Sequence, residues 1–427
     1  MKFIRSARSA MTLCISLLSA MPIHAMAGLN SLLPSLYGGN GVYLWLVPGS
    51  AFPHYGHFAA DALMHFNMLN DSISSQMGAY PTSSGAGGFA FEYDEELGTY
   101  TKKTQSLGPI FAERANTLGK GKFNFNVSYS FFDFNSYNGT DLGSQQIVAD
   151  HMPMFNANGT PLINTNPAFG PVGQPYVFTL DKVLVNLNLR IHTQILNLGG
   201  TYGITDKLDV GALVPYVRIQ ESIYAHGIIQ ISPLNNGRFR TVHQWQPGAT
   251  FNNGINGPYG PDSTASGSAA GLGDIMLHAK YQWLQSDTHN LAGALYVVLP
   301  TGDKSNFLGT GEAKVKPTVI YSRTYFETLT PHLNLGYNFD LSNATRNAVE
   351  YAAGFDFGAS KTLTASADII GRTEPRGDGT GEKIDGSVGF KWISPAEYVY
   401  TVNTLLPLNH AGLRSNLITM FNVEHAL

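Results

Sequence analysis

Along residues 122–427 the connections between two-faced segments alternate between short and long. Short turns lie near Thr205-Asp206, Ser286-Asp287, residues 327–330, Ser360-Lys361 and Ser394-Pro395. Longer connections occupy residues 135–176, 223–270, 301–311 and 373–381. Residues 342–347 and 407–411 are brief but fall on the same side. Short periplasmic turns and longer outer loops are the topology of outer-membrane barrels, and a soluble sandwich does not require it. With both ends of this region periplasmic, the count is about 12 strands, an even number. The expected fold is all-β: a transmembrane up-and-down antiparallel barrel of about 12 strands, with 14 if a hairpin near residues 89–103 joins the wall.

The segments themselves alternate with a period of two, as strands do. Residues 183–196 set Leu187, Leu189, Ile191, Thr193 and Ile195 against Asn188, Arg190, His192 and Gln194. In a barrel the first face meets lipid and the second lines the lumen, which is the expectation for this stretch. Residues 122–134 set Phe123, Phe125, Val127, Tyr129 and Phe131 against Asn124, Asn126, Ser128 and Ser130. Pro215 interrupts the next strand, read as residues 208–220, and suggests a bulge there.

Carried around the chain, the same alternation assigns Asp274, His278, Lys280, His332, Asn334, Glu350, Asp356, Asp368, Arg372, Asp385, Lys391 and Arg414 to the lumen. Lys314, Lys316 and Glu424 join them, so both charge signs are present. A charge facing lipid at the midplane costs about 2–4 kcal/mol, which favours the inward placement. Such charges either fill the lumen by pairing with one another and with a plug, or set a selectivity field.

Composition agrees. Only 13% of residues are charged, against about 25% in a typical soluble domain, and Tyr (21) and Phe (24) are plentiful. No apolar run is long enough for a transmembrane helix. Residues 1–27 read as a secretory signal: Lys2, Arg5 and Arg8, then an apolar core, then Ala25-Met26-Ala27. Cys14 is the only cysteine and follows Leu13, which does not suit a lipid anchor. A net charge of −4 gives no basis for a nucleic-acid partner. The partners expected are outer-membrane lipid and, during biogenesis, the barrel assembly machinery of a Gram-negative envelope.

Residues 28–106 do not read as wall and are expected to form a plug or a lid, with residues 107–427 as the barrel domain. Trp45, Phe52, Phe58 and Phe66 are the apolar plug contacts. Residues 89–93 and 99–103 form a hairpin. Glu113 and Arg114 either pair to lock the plug to the wall or, as favoured here, lie in a solvated turn at the periplasmic rim. His54, His57 and His65 have no clear third ligand partner, so no metal is expected, and no cofactor. Residues 301–312 carry glycines without the strand-to-helix context of a phosphate loop and read as an outer loop.

Four runs resemble the family described as the MetA pathway of phenol degradation. They are SLGPIFAERANTLGKGKFNFNVSYSFFDF (residues 106–134), TYGITDKLDVGALVPYV (201–217), GLGDIMLHAKY (271–281) and LYVVLPTGD (295–303). The resemblance runs from residue 106 to the C-terminus and supplies no catalytic residues. It implies an outer-membrane barrel that passes small, often aromatic, compounds, similar in idea to the FadL-type hydrocarbon transporters with their N-terminal plug. The resulting expectation is a passive channel for small hydrophobic or aromatic solutes. The alternatives are a structural barrel without a solute, and an outer-membrane lipid hydrolase built on Ser128, Ser130, His192 and Gln194.

Overall fold

The computed structural model describes residues 28–45, 56–78, 106–155, 158–167, 170–233, 243–245, 260–286, 288–375 and 382–427, with the backbone alone at 91–94, 99–102, 251–252 and 255–256. The expected signal, residues 1–27, and Phe52 lie outside them.

Twelve antiparallel strands form a closed wall. They are β1 (Phe123–Phe134), β2 (Lys182–Thr205), β3 (Leu208–Gln230), β4 (Ile275–Gln285), β5 (His289–Leu299) and β6 (Lys314–Arg323). The wall continues with β7 (Leu329–Asp340), β8 (Ala348–Gly358), β9 (Leu363–Thr373), β10 (Lys383–Ile393), β11 (Tyr398–Pro407) and β12 (Ile418–Ala426). Each pairs with the next, and β12 returns to β1 with Met420 opposite Ser130. Closure matters because no unpaired strand edge can face lipid. Among the described residues the hairpin Phe91–Asp94 with Thr99–Lys102 pairs only with itself and does not join the twelve-stranded wall. The last strand runs to Ala426, and Leu413–Arg414 pairs separately with Ser136–Tyr137.

The pleat of β1 shows why this sequence makes a membrane wall. Phe123, Phe125, Tyr129 and Phe131 are exposed outward, while Asn124, Asn126, Ser128 and Ser130 are fully buried inward. Outward aromatics recur around the ring, among them Trp283, Tyr337, Phe355, Phe390, Trp392 and Tyr400. They supply the lipid-facing band that such barrels need.

β2 and β3 have 24 and 23 residues. A membrane crossing takes about 9–11 residues. Both strands therefore project well past the membrane on the long-loop side, and much of the region read as a polar loop at 223–270 is strand. Gln145–Asp150 flanks the projecting part of β2, and Asp262–Leu272 flanks that of β3.

The chemistry of the two faces exchanges where the strands leave the membrane. On β2, odd-numbered residues face inward throughout. Above Leu196 these are Leu187, Leu189, Ile191 and Ile195; below it they are Asn197 and Thr201. Outward, Leu198, Tyr202 and Ile204 are exposed below, and Arg190 is exposed above. β3 exchanges at the same level, since Leu196 is opposite Tyr216. Its buried inner residues run from Asp209 to Val217, Ile219 and Ile223, and Gln220 and Ser222 face outward. β1 repeats this: Ser130 is followed on the inner face by Phe132 and Phe134.

This corrects the assignment of Asn188, Arg190, His192 and Gln194 to the lumen. They lie on the outer face of the projecting wall, where the surroundings are water. Leu187, Leu189 and Ile191 face inward, because the space between the projecting strands is filled by an apolar core. That core is completed by the helix Ala59–Gly78, whose buried Ala62, Phe66, Leu69 and Ile73 recur every three or four residues. Met64 and Met68 point the other way and are exposed. Asp61 in the first turn complements the positive end of the helix dipole.

Pro215 keeps its register with Asn197 on β2. The irregularity it signalled lies on its other side. Leu272 is opposite Tyr216 and Met276 opposite Leu213, so the neighbouring chain carries one extra residue between them. Gly273 N–H donates to the Pro215 carbonyl there at 2.8 Å.

Candidate functional site

Residues 107–121, expected to open the barrel domain, form no wall strand. Residues 106–118 instead cross the lumen as a strap held by wall side chains. Leu107 N–H donates to Thr364 Oγ1 at 2.8 Å. Glu113 N–H donates to Asn334 Oδ1 at 2.7 Å, and Asn334 Nδ2 donates to the Glu113 carbonyl at 2.9 Å. Leu118 N–H donates to Asp209 Oδ2 at 3.0 Å. A strap without regular structure leaves its backbone groups unpaired, and in a closed lumen the wall must satisfy them. The strap leaves at the periplasmic rim, where Gly203 is required: a Cβ there would sit 1.9 Å from the Gly119 carbonyl oxygen.

Glu113 and Arg114 are buried, which corrects their reading as a solvated turn. Arg114 pairs with Asp356 of β8, and Ser106 Oγ donates to the same carboxylate. His332 stands between two carboxylates, with Nε2 2.6 Å from Asp368 and Nδ1 3.5 Å from Asp356. Lys280 Nζ lies 3.5 Å from Glu113 and donates to the Arg114 carbonyl at 3.3 Å. Lys391 pairs with Glu424 at 3.0 Å and donates to the Leu107 carbonyl at 3.4 Å. The charges therefore interlock: wall cations neutralise strap and wall carboxylates, and a strap cation neutralises a wall carboxylate. A buried charge without such partners would be strongly destabilising.

A second charged tier lies nearer the outer side. Glu350 binds Lys316 at 2.7 Å and Arg372, and accepts from Asn338 Nδ2 at 2.9 Å. Arg414, on the Leu413–Arg414 segment, binds Asp385 at 3.1 Å. Asp274 accepts from Gly302 N–H at 3.0 Å and Thr310 N–H at 2.7 Å, which pins the outer loop after β5. His278 is buried with Nε2 3.3 Å from Thr201 Oγ1.

Between the strap and the end of the helix lies a cavity of about 300 Å³. Phe111 and Glu113 of the strap border it on one side and Gln76 and Met77 of the helix on the other. Phe132, Phe134, Ile195, Leu213 and Val217 give it an apolar wall, and the second charged tier gives it a polar one. Phe132 and Phe134 were missed in the sequence because they follow the inner polar face of β1. The doublet Phe131-Phe132 is the signal that could have found them. Phe58 and Phe66, expected as plug contacts, are fully buried in the projecting part. Trp45 is half-buried, and its N–H donates to the Gln244 carbonyl at 3.1 Å.

At the outer end His57 Nδ1 lies 3.0 Å from His151 Nε2, and His243 Nδ1 lies 2.8 Å from Asp181. Phe58 stacks edge-on against both His151 and His243. Burial, together with the neighbouring His243 and His57, pushes the His151 imidazole down to about 3. The Ser–His pair of a hydrolase does not form. Ser128 and Ser130 face inward, whereas His192 faces outward and pairs with Asp133 at 2.7 Å.

No curated protein matches the sequence. Among solved structures, an outer-membrane channel from Pseudomonas putida is similar at 12% identity, with 73% of this chain and 98% of that one covered and a TM-score of 0.41. The toluene transporter TbuX of Ralstonia pickettii has 12% identity, coverage of 82% and 98%, and a TM-score of 0.36. A FadL homologue from Pseudomonas aeruginosa has 11% identity, coverage of 80% and 95%, and a TM-score of 0.32. Residues 182–393, from the start of β2 to the end of β10, match the family model "Putative MetA-pathway of phenol degradation". The chain is an outer-membrane β-barrel that resembles this phenol-degradation family.

Proposed function

We propose that the protein is a passive outer-membrane channel for small hydrophobic or aromatic compounds, with the N-terminal segment as a displaceable plug. The observation that carries this reading is the cavity between helix and strap, with its continuous apolar wall. Pockets of about 300–1,000 Å³ with mostly apolar linings and a few placed polar groups suit small ligands. The apolar inner face of the projecting strands leads down to that wall, through Ile191 and Ile195 on β2 and Val217 on β3. No energy-coupling motif is visible in the sequence, so the solute moves down its gradient. Lipid surrounds the barrel, and export through a cleaved signal and insertion by the assembly machinery precede function.

Uptake of labelled aromatic and aliphatic compounds by cells with and without the protein tests this. A deficit confined to hydrophobic solutes is expected on deletion. Unchanged uptake across the panel would favour a purely structural barrel. Removal of residues 29–106 is expected to raise bilayer conductance, and unchanged conductance would rule out the plug.

A further inference from the structure

We propose that Glu221 is a proton-operated latch: while its carboxyl is neutral, residues 29–37 stay docked on the projecting wall, and when it ionises they come loose. The latch goes beyond the channel reading and does not depend on what the barrel passes. On the inner face of β3 above the membrane, Val217, Ile219, Glu221, Ile223 and Ala225 follow one another, all buried. Glu221 is the polar member of that run and is 2% exposed. Neither of its carboxyl oxygens has a hydrogen-bond partner among the described residues.

The register partners of Glu221 are Ile191 on β2 and Gly267 on Asp262–Leu272. A Cβ on Gly267 would sit 2.7 Å from Leu29 Cδ2 and 3.3 Å from Leu32 Cδ1. The N-terminal segment therefore lies over the strand pair that carries Glu221. Leu29 and Leu33 share one apolar core with Ile191, Ile219 and Ile223. Leu29 N–H donates to Asn306 Oδ1 at 3.2 Å, and Asn70 Nδ2 of the helix donates to the Asn30 carbonyl at 2.5 Å.

Among the described residues, the charged groups of the surrounding elements are turned away from Glu221 or engaged elsewhere. Residues 29–37 carry no charge, and Tyr37 reaches the level of Gly227, where it donates to the Pro261 carbonyl at 3.0 Å. Arg190, His192 and Arg218 lie on outward positions of β2 and β3, and Asp262 pairs with the outward His226. On the helix Asp61 pairs with His65, and Asp71 is exposed. In the loop that receives Leu29, Asp303 binds Ser305 and Asn306, and Lys304 is 3.7 Å from Glu312.

An ionised carboxylate buried without a donor is strongly destabilising, so the docked state holds the neutral acid. Burial pushes the docked carboxyl up to about 8 from its ordinary 4.5. Once the segment lifts and water enters, the carboxyl returns toward that ordinary value. Docking is therefore at full strength below about 4.5 and weakens by up to about tenfold per pH unit until about 8.

The test uses the full-length protein in detergent with one reporter thiol, Leu33→Cys in a Cys14→Ser background, because Leu33 is fully buried under the docked segment. Its labelling by a water-soluble maleimide is compared with that of the same protein carrying Glu221→Gln, at pH 5.5 and at pH 7.5. Thiol, reagent and the histidines at the outer end respond to pH alike in both, so the ratio of rates isolates Glu221. That ratio is expected to rise at least about tenfold from the lower pH to the higher. Glu221→Leu, equally unable to ionise, should give the same rise and serves if the Gln variant loses its heat-modifiable gel mobility. A ratio that stays constant or falls with pH overturns the latch.

Discussion

Arg114 and Asp356 are 242 residues apart in sequence and form an ion pair inside the barrel, with neither side chain more than 6% exposed. The same carboxylate receives Ser106 and stands beside His332, so one wall residue holds the first half of the strap. The strap is thus fixed by charge and not by regular structure.

Removing one member of such a pair strands the other charge, at a cost of about 3–5 kcal/mol. Arg114→Met is expected to loosen the strap, whereas Arg114→Met combined with Asp356→Leu removes both charges and recovers most of the loss. Ile110→Cys in a Cys14→Ser background gives one reporter thiol. A water-soluble maleimide should label it about tenfold faster in the single variant, a change of about 1.4 kcal/mol in local opening. Equal rates in all three backgrounds would show that this pair does not hold the strap.

The exchange of faces at Leu196 sets a membrane boundary that charges can map. Gln194→Lys lies above it on the outer face and should change stability by less than about 0.5 kcal/mol. Leu295→Lys lies in the middle of β5 on the same outer surface and should cost about 2–4 kcal/mol. Folding into lipid vesicles, followed through a denaturant titration, measures both. A large penalty at Gln194 would move the boundary outward.

Phe66 of the helix Ala59–Gly78 is fully buried in the same apolar core as the inner residues of β2 and β3. Phe66→Ala should cost about 3–5 kcal/mol of helix docking, through lost transfer energy and the cavity left behind. Limited proteolysis should then cut residues 59–78 while the barrel keeps its heat-modifiable mobility. Met64→Ala, on the exposed face, is the control and should resist like the wild type.

The outer end of that helix should respond to acid. His151 titrates far below its ordinary 6.5 in the folded chain, because it is buried beside His57 and His243. His57 is shifted the same way, mainly by burial. Groups that must stay neutral to remain packed contribute their stability above about 6.5 and lose it as the pH falls toward about 3. Asp181, 2.8 Å from His243, and the Asp61–His65 pair are the other titratable groups at this end. Hydrogen exchange of residues 59–66, corrected for intrinsic rates, should quicken between pH 7 and 5. His151→Phe should flatten that dependence, and an unchanged slope in the variant would exclude His151 as its source.

Much of the wall was legible because period-two alternation and connection length are local signals. The strands from β4 onward follow directly from them. The faces of β2 were not legible in the same way. Alternation says that residues 187, 189 and 191 share a side, but only the surrounding solvent says which side. The clue was the doublet Ile195-Leu196, where the apolar residues step from odd to even positions, as Phe131-Phe132 does on β1. Arg114 was illegible for another reason. Its partner arrives from a distant strand, and the strap has no periodicity to reveal that it is enclosed.

The strap also has a topological consequence. The chain lies in the lumen at Gln76 and again at residues 106–118, and emerges at the periplasmic rim to begin β1. It is therefore threaded through a ring made entirely from residues that follow it. Either the ring closes around a length of polypeptide already in place or that length slides in afterwards, and the seam where β12 meets β1 is the clasp. Once it is fastened, the enclosed segment leaves only by sliding lengthwise or by reopening that seam.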